Sequence, residues 1–368
     1  MTIGIAVIGS APREQASSSK KLILYASPSR AYPSCTDIKW QPGIKANGDL
    51  FSLNAIYSRS LASAQKLSKE VESTTPDLYA EDAGSDKSYA KLLERSDVEA
   101  VVIALPILAQ PEFIKKALSA GKHVLSEKPV AKDLATAHEL IDWYHTNIDT
   151  KKTIWAVAEN FRYLGRFQYG AEQVKELGDI LGFRLRMHAF VKPGAKYYET
   201  EWRKTPEYQG GFLLDGGVHF IAAMRQLLGQ EAKMSQVAAF TAQLQPHLPP
   251  IDTINATVKL ANGTSGTFSV SFGTTFSGAE YIVACQNGTV DVGFDKTIVK
   301  KDGNESTKDF PEDKNGVRQE LKAWGESIAQ GKAHPLQTPE EALADLEVLE
   351  AMIKSGEADG KAIELKLQ

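Results

Sequence analysis

The densest chemistry in the chain lies in one stretch, Gly210-Gly211-Phe212-Leu213-Leu214-Asp215-Gly216-Gly217-Val218-His219. Asp215 and His219 stand four apart, so on a helix they share one face. An imidazole titrates near neutral pH, and a neighbouring carboxylate can orient it and hold its charge. That pairing suits proton exchange with a substrate hydroxyl or carbonyl. The glycines let a backbone or a ligand approach closely, and Phe220, Ala223, Met224 and Leu227 continue a buried helix. A satisfied core histidine and a metal-ligand pair are the alternatives. No other His/Asp/Glu cluster has ligand spacing, which counts against a metal.

A second candidate is Ser126-Glu127-Lys128-Pro129, just after the strand His123-Val124-Leu125. Ligands of open α/β sheets bind beyond the carboxyl ends of the strands, where a functional lysine would sit. Proline beside it fixes the local backbone. The bland reading is a surface Glu-Lys pair at a turn. Glu159-Asn160-Phe161-Arg162-Tyr163 follows the next strand, so Asn160 could reach a cofactor amide and Arg162 a substrate, with inter-domain hydrogen bonding as the alternative. Tyr197, Tyr198, Trp202 and Arg203 offer aromatic faces and a guanidinium, which suit a polyhydroxylated substrate or a packed loop.

The elements that must position these residues change character along the chain. The first 160 residues alternate short apolar runs with amphipathic stretches, as a parallel sheet covered by helices does. Residues 3–8, 53–57, 98–105, 123–125 and 154–158 read as its strands. The strand ends make Gly9, Ser58, Arg59, Leu105 and Pro106 cofactor candidates, together with Glu127, Lys128 and Asn160. Ser58-Arg59-Ser60 offers arginine and no acid where a dinucleotide fold reads the ribose, which favours NADP over NAD. Farther on, alternating strands flank Asn262-Gly263 and Asn287-Gly288, a type I′ hairpin signal and hence an antiparallel sheet. Thr338-Pro339-Glu340-Glu341 opens a final helix with a capping box. The expectation is an α/β protein: a Rossmann dinucleotide-binding domain over 1–157, then an α+β domain with a large, mostly antiparallel sheet over 158–368.

A chain of 368 residues suits two domains. Net charge −4 gives no footprint for nucleic acid or acidic membrane, and no apolar run is long enough to span a bilayer. Two cysteines provide no disulfide framework, and the start lacks a signal-peptide pattern, so the cytoplasm is the expected location.

Glu127-Lys128-Pro129, Ala158-Glu159-Asn160 and Gly-Gly-x-x-x-Asp-x-x-x-His over 210–219, in that order, resemble the Gfo/Idh/MocA oxidoreductases. Thr200-Glu201-Trp202-Arg203 before the glycine pair resembles a fungal NADP(H)-linked branch. The resemblance runs from about residue 51 to the C-terminus. It implies hydride exchange between nicotinamide and a sugar, polyol or related carbonyl compound. Lys128 and His219 would handle the proton and Asp215 would orient the substrate, and the open C-terminal sheet would form a homo-oligomer interface.

The front of the chain departs from that pattern. A dinucleotide loop should read G-x-G-x-x-G after the first strand, but the chain has Gly9-Ser10-Ala11-Pro12-Arg13-Glu14. Residues 10–50 contain four prolines (Pro12, Pro28, Pro33 and Pro42) and show no sustained amphipathic period. Three explanations stand: a real insertion, a weakened cofactor site in a nucleotide-sensing regulator, or a misread gene. The return of pattern at residue 51 favours the third.

Overall fold

The protein is described from a computed structural model that covers residues 2–9, 40–69, 75–195, 198–311, 313 and 315–368. Most of the atypical stretch, residues 10–39, lies outside the described residues, as does Tyr197.

The first half builds a six-stranded parallel sheet, alternating with helices: β1 (Ile3–Gly9), α1 (Trp40–Ala46), β2 (Phe51–Ser58), α2 (Leu61–Ser68), β3 (Asp77–Ala80), α3 (Tyr89–Leu93), β4 (Ala100–Ala104), α4 (Gln110–Ser119), β5 (His123–Ser126), α5 (Leu134–Asn147) and β6 (Trp155–Val157). The strand order is β3-β2-β1-β4-β5-β6, the doubly wound arrangement whose order reverses between β1 and β4. The central strands are buried on both faces, which is why they read as nearly unbroken apolar runs. Ile5 and Val7 face one core with Val102, while Ala6 and Ile8 face the other with Ile103.

α1 begins before residue 51, where sequence pattern alone placed the return to order. Pro42 reads as a breaker, yet it is the third residue of α1, within the first turn, where the missing N–H leaves no bond unmade. Gly43 lies so close to a later helix that a Cβ would stand 2.6 Å from Leu321 Cδ1.

The second half contributes α6 (Gly165–Glu176), β7 (Ile180–His188), α7 (Glu201–Lys204), α8 (Gly211–Leu228), β8 (Met234–Ala242), β9 (Thr253–Leu260), β10 (Ser265–Ser271), β11 (Gly278–Cys285), β12 (Gly288–Val292), β13 (Lys296–Lys301), β14 (Asn304–Asp309), α9 (Val317–Gln330), α10 (Pro339–Glu357) and β15 (Ile363–Glu364). Nine of its strands form one sheet, in the order β14-β13-β12-β11-β7-β10-β9-β8-β15, antiparallel except for β10 beside β7. Helices α6, α8 and α10 cover one face. The hairpin from β9 to β10 forms at Asn262-Gly263, but not through the expected type I′ turn: Gly263 alone has positive φ (+88°), and its N–H donates to the Leu260 carbonyl at 3.0 Å across Ala261 and Asn262. The other hairpin turns one residue earlier than its Asn-Gly signal: Gln286 and Asn287 form the turn, and Gly288 already pairs with Cys285. Gly288 is needed in the strand, because a Cβ there would stand 1.9 Å from the Lys300 carbonyl oxygen.

Two features join the halves. α9 turns back to the first sheet, where Val317, Leu321 and Trp324 enter the core of Ile5, Val7 and Phe51. α10 starts as its sequence dictates, with the Thr338 hydroxyl accepting from the Glu341 N–H and Pro339 at the first position. The Glu341 carboxylate does not close the box; it accepts from Arg225 instead.

Candidate active site

β5 delivers Lys128 to the seam between the two sheets, and α8 delivers Asp215 and His219 from the opposite side. Lys128 Nζ donates to Asp215 Oδ1 at 2.8 Å and to the Asp215 carbonyl oxygen at 2.7 Å. Arg203 Nε donates to Asp215 Oδ2 at 2.9 Å. All three side chains are buried. Burial works against the Asp215 charge, but Arg203 and Lys128 outweigh it and hold the carboxyl far below its usual range.

One turn along α8, His219 Nδ1 meets Glu159 Oε1 at 2.6 Å. The imidazole stacks on Phe161, with ring centroids 4.7 Å apart and planes 14° from parallel. Glu159 Oε1 also accepts from the Phe161 N–H at 3.2 Å. Burial opposes the Glu159 charge, yet His219, Arg162 and Lys128 hold its carboxyl below the usual value. Burial also lowers the His219 pKa, with Glu159 opposing that fall and Lys128 adding to it. The pair at neutral pH is therefore an anionic carboxylate beside a neutral imidazole. A carboxylate can only accept, so Nδ1 carries the hydrogen and Nε2 is the proton-accepting atom.

The sequence reading brought Lys128, Asp215 and His219 together, and the structure gathers them at one seam. It gives His219 a different carboxylate, however. Glu159 orients the imidazole, while Asp215 is spent on two cations. A signal for Glu159 existed: it follows β6 much as Lys128 follows β5, at the carboxyl edge of the same sheet.

The arginines expected at substrate are committed elsewhere. Arg203 holds Asp215, with its guanidinium 4.1 Å from the Trp202 ring centroid. Arg162 Nη2 donates to Asp345 Oδ2 at 2.5 Å, so it ties the strand-end segment to α10. A buried guanidinium needs such a carboxylate, and that need outweighs availability to a ligand. Tyr198 is buried with its ring edge-on to His247 at 5.3 Å, and Trp202 is half-buried. The glycines of α8 serve packing. A Cβ at Gly211 would stand 2.2 Å from the Pro249 carbonyl oxygen, at Gly216 2.9 Å from Phe272 Cζ, and at Gly217 3.0 Å from Leu349 Cδ2.

The cofactor candidates line up along one edge of the first sheet. Gly9 ends β1 and Ser58 ends β2, with exposed Arg59 next; Leu105 and Pro106 follow β4, and Glu127 follows β5. The strand order reverses here, so these ends open the crevice that takes a dinucleotide in such sheets. The Ser58 hydroxyl is buried there and has no hydrogen-bond partner among the described residues. Asn160 follows β6, and its amide donates to the Asn315 carbonyl oxygen.

Family models match both halves: "Oxidoreductase family, NAD-binding Rossmann fold" over residues 39–149 and "Oxidoreductase family, C-terminal alpha/beta domain" over 171–365. The chain belongs to the Gfo/Idh/MocA oxidoreductase family. Dehydrogenase FPY6 of Fusarium mangiferae is 42% identical, over 87% of this chain and 93% of its own. Among solved structures, an oxidoreductase from Thermotoga maritima superposes with TM-score 0.82 at 27% identity and covers 99% of both chains. A 3-ketoreductase from Actinomadura kijaniata, solved with NADP and TDP-benzene, has TM-score 0.72 at 20% identity, covering 96% of this chain and 98% of its own.

Proposed function

We propose that the protein is an NADP-dependent oxidoreductase that moves a hydride between nicotinamide and a sugar, polyol or related carbonyl compound. The observation that carries this reading is the convergence of Lys128, Asp215, Glu159 and His219 beside the carboxyl edge of the Rossmann sheet. Nicotinamide supplies or accepts the hydride when bound. Gly9, Ser58, Leu105, Pro106, Glu127 and Asn160 would hold the dinucleotide. The Ser58 hydroxyl fits a ribose oxygen, and Arg59 fits a 2′-phosphate. The NADP bound by the Actinomadura relative supports the same cofactor class.

In the oxidising direction the substrate CH–OH loses hydride from carbon and a proton from oxygen, giving the carbonyl, the reduced cofactor and one proton. Lys128, held by Asp215, steadies the oxygen as negative charge develops. His219 Nε2 takes the proton, and Glu159 stabilises the imidazolium that forms. In reduction the same atoms return it. Asp215 keeps the Lys128 ammonium charged and aimed. Tyr198 and Trp202 supply walls suited to a small polyhydroxylated substrate. The uncovered face of the second sheet, with Phe240 63% exposed beside polar neighbours, suits a homo-oligomer, which sedimentation velocity would test.

The glycine-poor segment after Gly9 favours a second reading, a nucleotide-sensing regulator without turnover. Titrating the fluorescence of NADPH and NADH, followed by a screen of sugars and polyols with NADP+, separates the two. The enzyme reading expects tighter NADPH than NADH, and Arg59→Glu should erase that preference by about tenfold or more. Binding without turnover on any sugar or polyol would favour the regulator. If neither dinucleotide binds, both readings fall.

A further inference from the structure

Glu320 is a carboxyl group that the reaction scheme does not use. It sits one turn into α9, whose first turn is clamped against the Asn160 segment. Asn160 donates to the Asn315 carbonyl oxygen, and a Cβ at Gly316 would stand 2.2 Å from the Asn160 carbonyl oxygen. The Glu320 N–H donates to the Gly316 carbonyl at 2.9 Å, and its own carbonyl accepts from Gln337 Nε2 at 3.1 Å. The backbone is thus fixed, and the side chain is 1% exposed. Among the described residues neither carboxyl oxygen has a hydrogen-bond partner of good geometry, although the Glu159 backbone amide lies close enough to act on it.

The charged groups that face Glu320 are mostly of its own sign. Glu127 approaches from the end of β5 and Glu159 from the end of β6; Arg162 and the Tyr163 hydroxyl come from the turn that follows. Arg162 is already committed to Asp345. The Glu159 backbone amide is the other favourable group. Three buried carboxyl groups close enough to act on one another cannot all be charged. Glu159 is stabilised as an anion by His219, so the proton falls to the carboxyl with no such partner. Burial, then Glu127 and Glu159, push the Glu320 pKa well above the usual carboxyl value.

We propose that Glu320 is a positioning residue of the reaction centre: a buried neutral acid that keeps a third negative charge away from Glu159 and so sets the protonation of the Glu159–His219 pair. Were Glu320 ionised, its charge would favour the imidazolium, and His219 would hold its proton too tightly to act as a base near neutral pH. The role depends on His219 handling the proton, but Glu320 can be tested without a substrate.

The experiment uses the full chain and Glu320→Gln, with Glu320→Leu as a second neutral variant. A carboxyl whose folded pKa is raised costs stability as pH rises from its unfolded value toward its folded one, because only the unfolded chain gains from ionising. Glu320→Gln should therefore unfold at higher urea than the parent at pH 7, and the advantage should vanish at about pH 4 and below. Infrared spectra at pH 7 should show a protonated carboxyl stretch that both variants lose. In turnover, the alkaline limb of kcat against pH should move by about one pH unit in Glu320→Gln, with cofactor affinity unchanged. A parent without the infrared band, a variant less stable than the parent at pH 7, or two variants that both fail to fold would overturn the proposal. A band and stability gain with an unmoved pH profile would overturn only the link to His219. Loss of turnover in the parent itself would instead count against the oxidoreductase reading.

Discussion

Replacing Glu159 by glutamine removes one charge from the reaction centre and almost no volume. The 2.6 Å contact to His219 Nδ1 becomes an amide-to-imidazole hydrogen bond, and the imidazolium formed during turnover loses its counter-charge. A buried hydrogen bond to a charged group is worth about 1.5–3 kcal/mol, which converts to a fall in kcat of roughly tenfold to 150-fold. Glu159 raises the His219 pKa against the effect of burial, so its removal should shift the His219 inflection in the kcat profile to lower pH. Stability gives an independent sign. The Glu159 carboxyl lies below its ordinary value, so its contribution is present above the unfolded glutamate pKa and is lost as pH falls through the folded one. Glu159→Gln should be less stable than the parent at pH 7 by about 1–3 kcal/mol, with the deficit closing in acid. Cofactor oxidation or reduction followed by absorbance gives kcat, and urea unfolding at several pH values gives stability. An unchanged kcat, or a stability deficit that persists undiminished below the glutamate range, would refute the assignment of Glu159 to His219.

Lys128→Ala and His219→Ala should each abolish measurable turnover while leaving NADPH affinity within about threefold, since the proposed reaction places both at the reacting oxygen; fluorescence titration beside the activity assay checks this. Gly211→Ala should destabilise the protein by on the order of 3 kcal/mol. Its φ is +52° and the new Cβ would meet the Pro249 carbonyl, so urea midpoints equal to the parent would show that the α8 start relaxes freely.

The parallel sheet was legible because strands buried on both faces leave continuous apolar runs, as in Ala100-Val101-Val102-Ile103. Lys128, Asp215 and His219 were legible because their neighbours fix them: proline after the lysine, and a four-residue step along one helix. The partners of those residues were not, because docking of separate elements creates the contacts. Glu159 is 60 residues from His219, and Arg162 is 183 from Asp345. Spacing cannot reveal such pairs, and a guanidinium read as a ligand group is as easily a counter-ion. α9 is a similar case. Val317, Leu321 and Trp324 mark a helix with one buried face, but nothing local says that the face returns to the first sheet. Pro42 misled for a simpler reason, since a breaker in the middle of a helix is harmless in its first turn.

The two ion pairs at the seam differ in a way that divides their work. Asp215 holds two cations with one carboxylate, which keeps it ionised despite burial. Lys128 is thereby held in place by an ionised carboxylate. His219 and Glu159, as neutral imidazole and carboxylate, hold two protons fewer than they can; burial and Lys128 favour the neutral imidazole, while His219, Arg162 and Lys128 keep Glu159 ionised against burial. A centre that exchanges one proton per hydride needs one fixed charge and one titrating pair. Had Asp215 rather than Glu159 faced His219, the same carboxylate would have had to serve both, and uptake of the proton would have weakened the grip on Lys128. Supplying the second carboxylate from the segment after β6, across the seam from α8, separates the two tasks.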